Sequence, residues 1–235
     1  MFDVPRQKRY ALGWYNEGIT HLSMQEYEEA LSFFDRALRA VPDHPDFLIG
    51  KGEVLLAVGK YQEAYPLFLH AATIEPDNLR ALILLGNALV KLEMFEPADE
   101  AFLAALTINR YDGEAWLGHG IASFHLHRTD EAREAFEKAL KMKPGQPELL
   151  YYCARTARTD NAAIEYLIRG CRLDPNNIDL LTEMSERLIK LGRYREAALF
   201  CSRAEQQSPG NPRIEAIISR CMEAMMTQEG EAVTP

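Results

Sequence analysis

Apolar residues recur along this chain at intervals of three and four, the period of a helix with one buried face, and the helical stretches themselves recur. EEALSFFDRALRAVPDHP, QEAYPLFLHAATIEPDN, DEAREAFEKALKMKPGQP and REAALFCSRAEQQSPGNP follow one plan: Ala, an apolar residue four later, Ala or a similar residue three later, and Pro five later. Aligned on those positions, the chain divides into Ala11–His44, Pro45–Asn78, Leu79–Asp112, Gly113–Gln146, Pro147–Asn177 and Ile178–Asn211. Five of these units have 34 residues, and the fifth is three shorter.

The same places repeat in register. Place 4 holds Trp14, Leu48, Leu82, Trp116, Leu150 and Leu181, and place 8 holds Gly18, Gly52, Gly86, Gly120, Ala154 and Ser185. Ala stands at place 20 throughout, and place 24 holds Phe34, Phe68, Phe102, Phe136, Leu167 and Cys201. Place 32 is proline except for Arg110. Places 4, 7, 8 and 11 share one face of a first helix, and small residues at 8 and 20 let a second, antiparallel helix come close while place 24 fills the gap. Proline cannot continue a helix, so place 32 ends the pair; in the third unit Asn109 takes that role. One pair cannot bury its apolar face alone, so neighbours must stack.

This pattern resembles the tetratricopeptide repeat over about 85% of the chain. The resemblance implies an all-α, right-handed α-solenoid of tandem antiparallel helix pairs, spanning 1–228 as a single body. Pro212–Gln228, with Ile214, Ile217, Ile218 and Cys221 on one face, reads as a C-terminal capping helix whose polar outer side is Glu215, Ser219 and Arg220. Residues 229–235 read as a disordered tail, and Pro5 suits the start of the first helix. The fifth unit lacks three residues around Thr156–Asp160, so its first helix or its turn must be shorter.

Places 2, 5, 9, 12 and 13 lie opposite the packing face and in a stacked solenoid line the concave side; 5, 9 and 12 are the telling ones. They are apolar more often than a wet surface requires, and a contiguous exposed apolar patch marks an interaction site. The partner-binding groove expected from this phase is Tyr15, Ile19, Ile49, Glu53, Ile83, Asn87, Leu117, Ile121, Tyr151 and Arg155. Places 5 and 12 could instead serve the core beneath a neighbouring helix. Asn87 suits a peptide backbone, because one amide both donates and accepts. Arg155 and Arg158 beside Tyr151 suit a carboxylate, or else pair with Glu183 or Glu186. Some members of the resembled family hold the C-terminal carboxylate of a chaperone tail, which would need Lys at place 5; no unit has one.

Charge and composition narrow the function. A formal net charge of −9 argues against nucleic acid as the partner. No apolar run reaches the roughly 20 residues of a membrane span, and no signal segment opens the chain, so a cytoplasmic location is expected. Cys153, Cys171, Cys201 and Cys221 form no C-x-x-C pair and read as small apolar side chains. His119 reads as a satisfied core histidine and His127 as a turn residue. No phosphate loop, nucleophile motif or metal set is present, so no catalytic residue, metal or cofactor is assigned. The sequence thus points to a non-enzymatic adaptor that takes an extended or helical segment of another protein in its groove. The alternatives are a self-associating module, forming a homo-oligomer, or the repeat region of a larger enzyme.

Overall fold

The structure, a computed structural model, describes residues 4–231, with side chains placed for residues 9–227. The helices are α1 (Val4–Ser23), α2 (Tyr27–Ala40), α3 (Pro45–Ala57), α4 (Tyr61–Ile74), α5 (Leu79–Lys91), α6 (Phe95–Ile108), α7 (Gly113–His125), α8 (Thr129–Met142), α9 (Pro147–Thr156), α10 (Asp160–Leu173), α11 (Ile178–Lys190), α12 (Tyr194–Gln207) and α13 (Pro212–Glu231). The described residues contain no strand. The first helices α3, α5, α7, α9 and α11 begin on the first residue of the sequence units, and α13 on the residue after the sixth. α13 continues to Glu231, and the rest of the expected tail, 232–235, lies outside the described residues.

The chain forms two compact units, Met1–Arg128 and Thr129–Pro235, the division falling within the fourth repeat. In unit 1 the consecutive pairs α1–α2, α3–α4 and α5–α6 pack together, and α7 packs on α5 and α6. In unit 2 α8 packs on α9, the pairs are α9–α10 and α11–α12, and α13 packs on α12 and α11.

The helix starts are written locally. Asn78, Asp112, Thr159 and Asn177 accept backbone N–H groups of the first turn, satisfying donors the helix cannot. Pro45 and Pro147 open α3 and α9, where the missing N–H is not needed. Asn109 follows the last residue of α6, as expected from Arg110 at the proline place. The turn inside each pair has one further requirement. Place 15 is left-handed in five units: Gln25, Gly59, Glu93, His127 and Gly192 have φ between 58° and 77°. Only two of the five are glycine, so three side chains accept a conformation that glycine adopts without cost.

Phe34, Phe68 and Phe102 are fully buried in unit 1, and the place-8 glycines make room for them. A Cβ on Gly86 would stand 2.6 Å from the ring of Phe102, and one on Gly52 2.6 Å from Phe68. A second set of glycines, at place 6, admits the same rings from the following unit. A Cβ on Gly50 would reach Phe34 at 2.5 Å, and one on Gly118 would come closer still to Phe102. Phe34 and Phe102 are therefore each clamped between consecutive first helices. Gly86→Leu should cost about 1–3 kcal/mol or more through overpacking. Thermal melting checks this: a midpoint within about a degree of the parent would remove Gly86 from this contact.

The shortening in the fifth unit is taken entirely by α9, which has 10 residues where α11 has 13. Two buried carbonyls at its end accept from guanidinium donors: Arg187 donates to Ala154 O and Arg133 to Thr156 O, each at 3.4 Å. Cys153, buried against this helix end, has its thiol pushed up to about 12 by burial, so it stays a neutral apolar side chain.

Candidate partner-binding faces

Unit 1 carries most of the expected groove, and the structure divides those residues into two groups. Ile49 is 1% exposed and packs with Leu48, Ala71 and Ala81. Ile83 is 7% exposed, in the cluster that includes Leu55, Phe102 and Ala115. These two are core residues, which corrects the expectation that they stand free in a groove. Helical phase within one unit sets them apart from their own second helix, but α5 closes over Ile49 and α7 over Ile83. Tyr15, Ile19, Glu53, Asn87, Leu117 and Ile121 remain half-buried and reachable.

The reachable residues form a mixed polar and apolar surface. Tyr15 packs on Phe34 and Phe47, with centroids 5.8 and 5.2 Å apart. Burial, reinforced by Asp46, pushes the Tyr15 phenol up, so it is a neutral hydrogen-bonding group at physiological pH. Arg80 grips Glu53 through Nη2, at 2.6 and 2.8 Å, and Nε, at 3.2 Å. Glu53 is therefore half of a charge-assisted pair rather than a free anion. Next to that pair is a depression of about 400 Å³, lined among others by Ile83, Leu84, Asn87 and Glu114. Asn87 makes no side-chain hydrogen bond among the described residues.

In unit 2 the expected residues are held in an ion-pair network. The Tyr151 hydroxyl accepts from Arg155 at 2.7 Å, and Arg155 stands 3.6 Å from Glu183. Glu183 is 3% exposed and also accepts from Arg187, which reaches Asp160 as well, both at 2.8 Å. Glu183 stands where the pairing reading of Arg155 expects a partner. Arg158 lies beyond the end of α9, in the turn before α10. The missing three residues move it out of the helical phase in which it had been counted.

Arg80 stands at place 2, on the face of places 5 and 9, and is a groove residue beyond those expected; helical phase is the signal that points to it. His119 is buried, with Nδ1 2.5 Å from Asp99, which also accepts from Arg128 at 3.0 Å. It is a satisfied core histidine, and His127 lies in the turn after α7. The described residues hold no group of three His, Cys, Asp or Glu side chains placed for a metal. No helix among them is long and apolar enough to cross a membrane.

No curated protein matches the chain. Solved structures share its fold. The pilF protein of Pseudomonas aeruginosa is 19% identical with a TM-score of 0.79, over 91% of this chain and 98% of that one. A chain of the APC/C hetero-tetramer Cut9–Hcn1 is 18% identical with a TM-score of 0.79; the match covers 90% of this chain but 42% of the other. YrrB, described as a TPR protein with an unusual peptide-binding site, is 27% identical with a TM-score of 0.61, over 73% of this chain and 90% of its own. Models of the tetratricopeptide repeat match residues 15–82, 55–118 and 113–146, together more than half of the chain. With the register of its first helices and the packing of consecutive pairs, this chain belongs to the tetratricopeptide-repeat family.

Proposed function

We propose that this protein is a non-enzymatic adaptor whose first-helix face in unit 1 takes an extended or helical segment of another protein. Members of the family generally act through protein–protein interaction and are typically scaffolds without catalysis. The observation that carries the reading is the depression beside the Arg80–Glu53 pair. There the unengaged Asn87 amide can donate to and accept from a peptide backbone, with apolar Ile83 and Leu84 at its side. Half-buried Leu117 and Ile121, on the neighbouring first helix α7, supply anchors of the kind that dominate an interface. The peptide-binding site named for YrrB, 27% identical, supports the same class of ligand.

Asn87→Ala and Ile121→Glu test the reading. Each should leave stability within about 1 kcal/mol of the parent, as for surface sites. Each should also lower retention of the proteins captured by the parent from native extract at least tenfold. Unchanged retention by both variants would end the groove reading. Self-association, the alternative from the sequence, predicts that sedimentation shifts with protein concentration; a concentration-independent monomer removes it.

A further inference from the structure

The last helix of unit 2 shows the register of a first helix whose own second helix is missing among the described residues. Ile214, Ile217 and Cys221 are 1–2% exposed; Ile214 clusters with Ala204 and Cys221 with Ala197 of α12, as the first helices pack on the second helix before them. In α11 the other face is covered by α12, and Ser185 at place 8 is fully buried. In α13 the corresponding Ser219 is exposed, and Met222 and Met226 are 58% and 73% exposed. The expected cap is therefore polar only in part: Glu215, Ser219 and Arg220 are exposed, but methionines share the outer surface.

Between α12 and α13 runs an apolar groove of about 520 Å³, lined among others by Ala198, Cys201, Glu205, Ile218, Met222 and Met225. From Ala198 to Gln206 it follows α12 for about 12 Å, somewhat over two helical turns. Burial pushes the Cys201 and Cys221 thiols up, so both stay neutral. One charge faces this apolar surface without a full set of partners. Glu205 accepts the Gly210 N–H through Oε1 at 3.1 Å, while its Oε2 is buried and accepts no hydrogen bond. A buried carboxylate oxygen left unpaired is costly, and a cationic donor would offset that cost.

We propose that this groove docks one amphipathic helix of a partner protein, two to three turns long, as the second helix of a seventh pair. Two observations specify the occupant. The groove continues the first-helix–second-helix interface already formed by α9–α10 and α11–α12, which selects a stripe of alanine and large apolar residues. Glu205 selects a lysine or arginine on the flank of that stripe. Methionine walls adapt to such a helix without demanding one shape.

The test uses the full chain with methyl-labelled methionine, eight in all. The probe is a synthetic, end-capped peptide with the sequence of residues 129–142. It carries the stripe Ala132, Phe136 and Ala139 with Arg133, Lys138 and Lys141. Saturable shifts are expected at Met222 and Met225 while Met24 and Met94 stay still. Glu205→Gln and Met222→Glu should each weaken binding tenfold or more without moving the melting temperature. Absence of shifts at millimolar peptide, shifts confined to unit 1, or full affinity in Glu205→Gln would each overturn the proposal. So would Met222 and Met225 signals that move with protein concentration alone, which would make a second copy the occupant.

Discussion

Truncating Phe102 to alanine should destabilise unit 1 by about 3–5 kcal/mol, the cost of emptying a core site that cannot collapse. The ring is fully buried and lies between Gly86 of α5 and Gly118 of α7, with Cβ-like approaches too tight for any side chain on either glycine. Because both facing residues are already glycine, neither helix has a side chain that could swing into the space. The loss is therefore expected near the top of the range for phenylalanine. Urea unfolding reads it directly, as a fall in the midpoint at unchanged slope. A loss below about 1 kcal/mol would mean that α5 and α7 close on one another when the ring is removed.

Ile83→Glu should be more damaging still, and through stability rather than binding. Ile83 is 7% exposed in the cluster with Leu55, Phe102 and Ala115. A carboxylate there loses an apolar contact and must either stay charged away from water or take up a proton, a burial that costs several kcal/mol. Its packed neighbours there are apolar side chains such as Leu55, Phe102 and Ala115. Arg80, the nearest cation along the helix face, is committed to Glu53. Soluble expression and melting of Ile83→Glu, compared with Ile121→Glu, separate the two environments. Ile83→Glu should unfold unit 1 at ordinary temperature, whereas Ile121→Glu, on a half-buried residue, should remain folded. Equal melting of the two variants would return Ile83 to the accessible face.

Much of this protein is determined close to home in the sequence. Helix starts at residues 45, 79, 113, 147, 178 and 212 follow from prolines, capping Asn and Asp side chains, and apolar spacing of three and four. The place-8 glycines and place-24 phenylalanines announce the close approach inside each of the first three pairs. All of these signals act within one unit, where chain connectivity already brings the groups together. The shorter first helix of the fifth unit was likewise legible, as a gap in the register.

What lies between units was not legible in the same way. Phase places Ile49 and Ile83 opposite their own second helix, but only the stacked neighbour decides whether that face is wet, and α5 and α7 bury them. Arg187 reaches Ala154 O across 33 positions of sequence, so the capping of the shortened α9 appears only once α11 is packed beside it. Arg155 could have met a ligand or Glu183; the fold brings Glu183 to 3.6 Å. At the end of unit 2 the same spacing that made α13 look like a finished cap also left Met222 and Met226 largely exposed. Helical period determines which residues share a face. Burial belongs to whatever is stacked on that face, and that is set by distant parts of the chain.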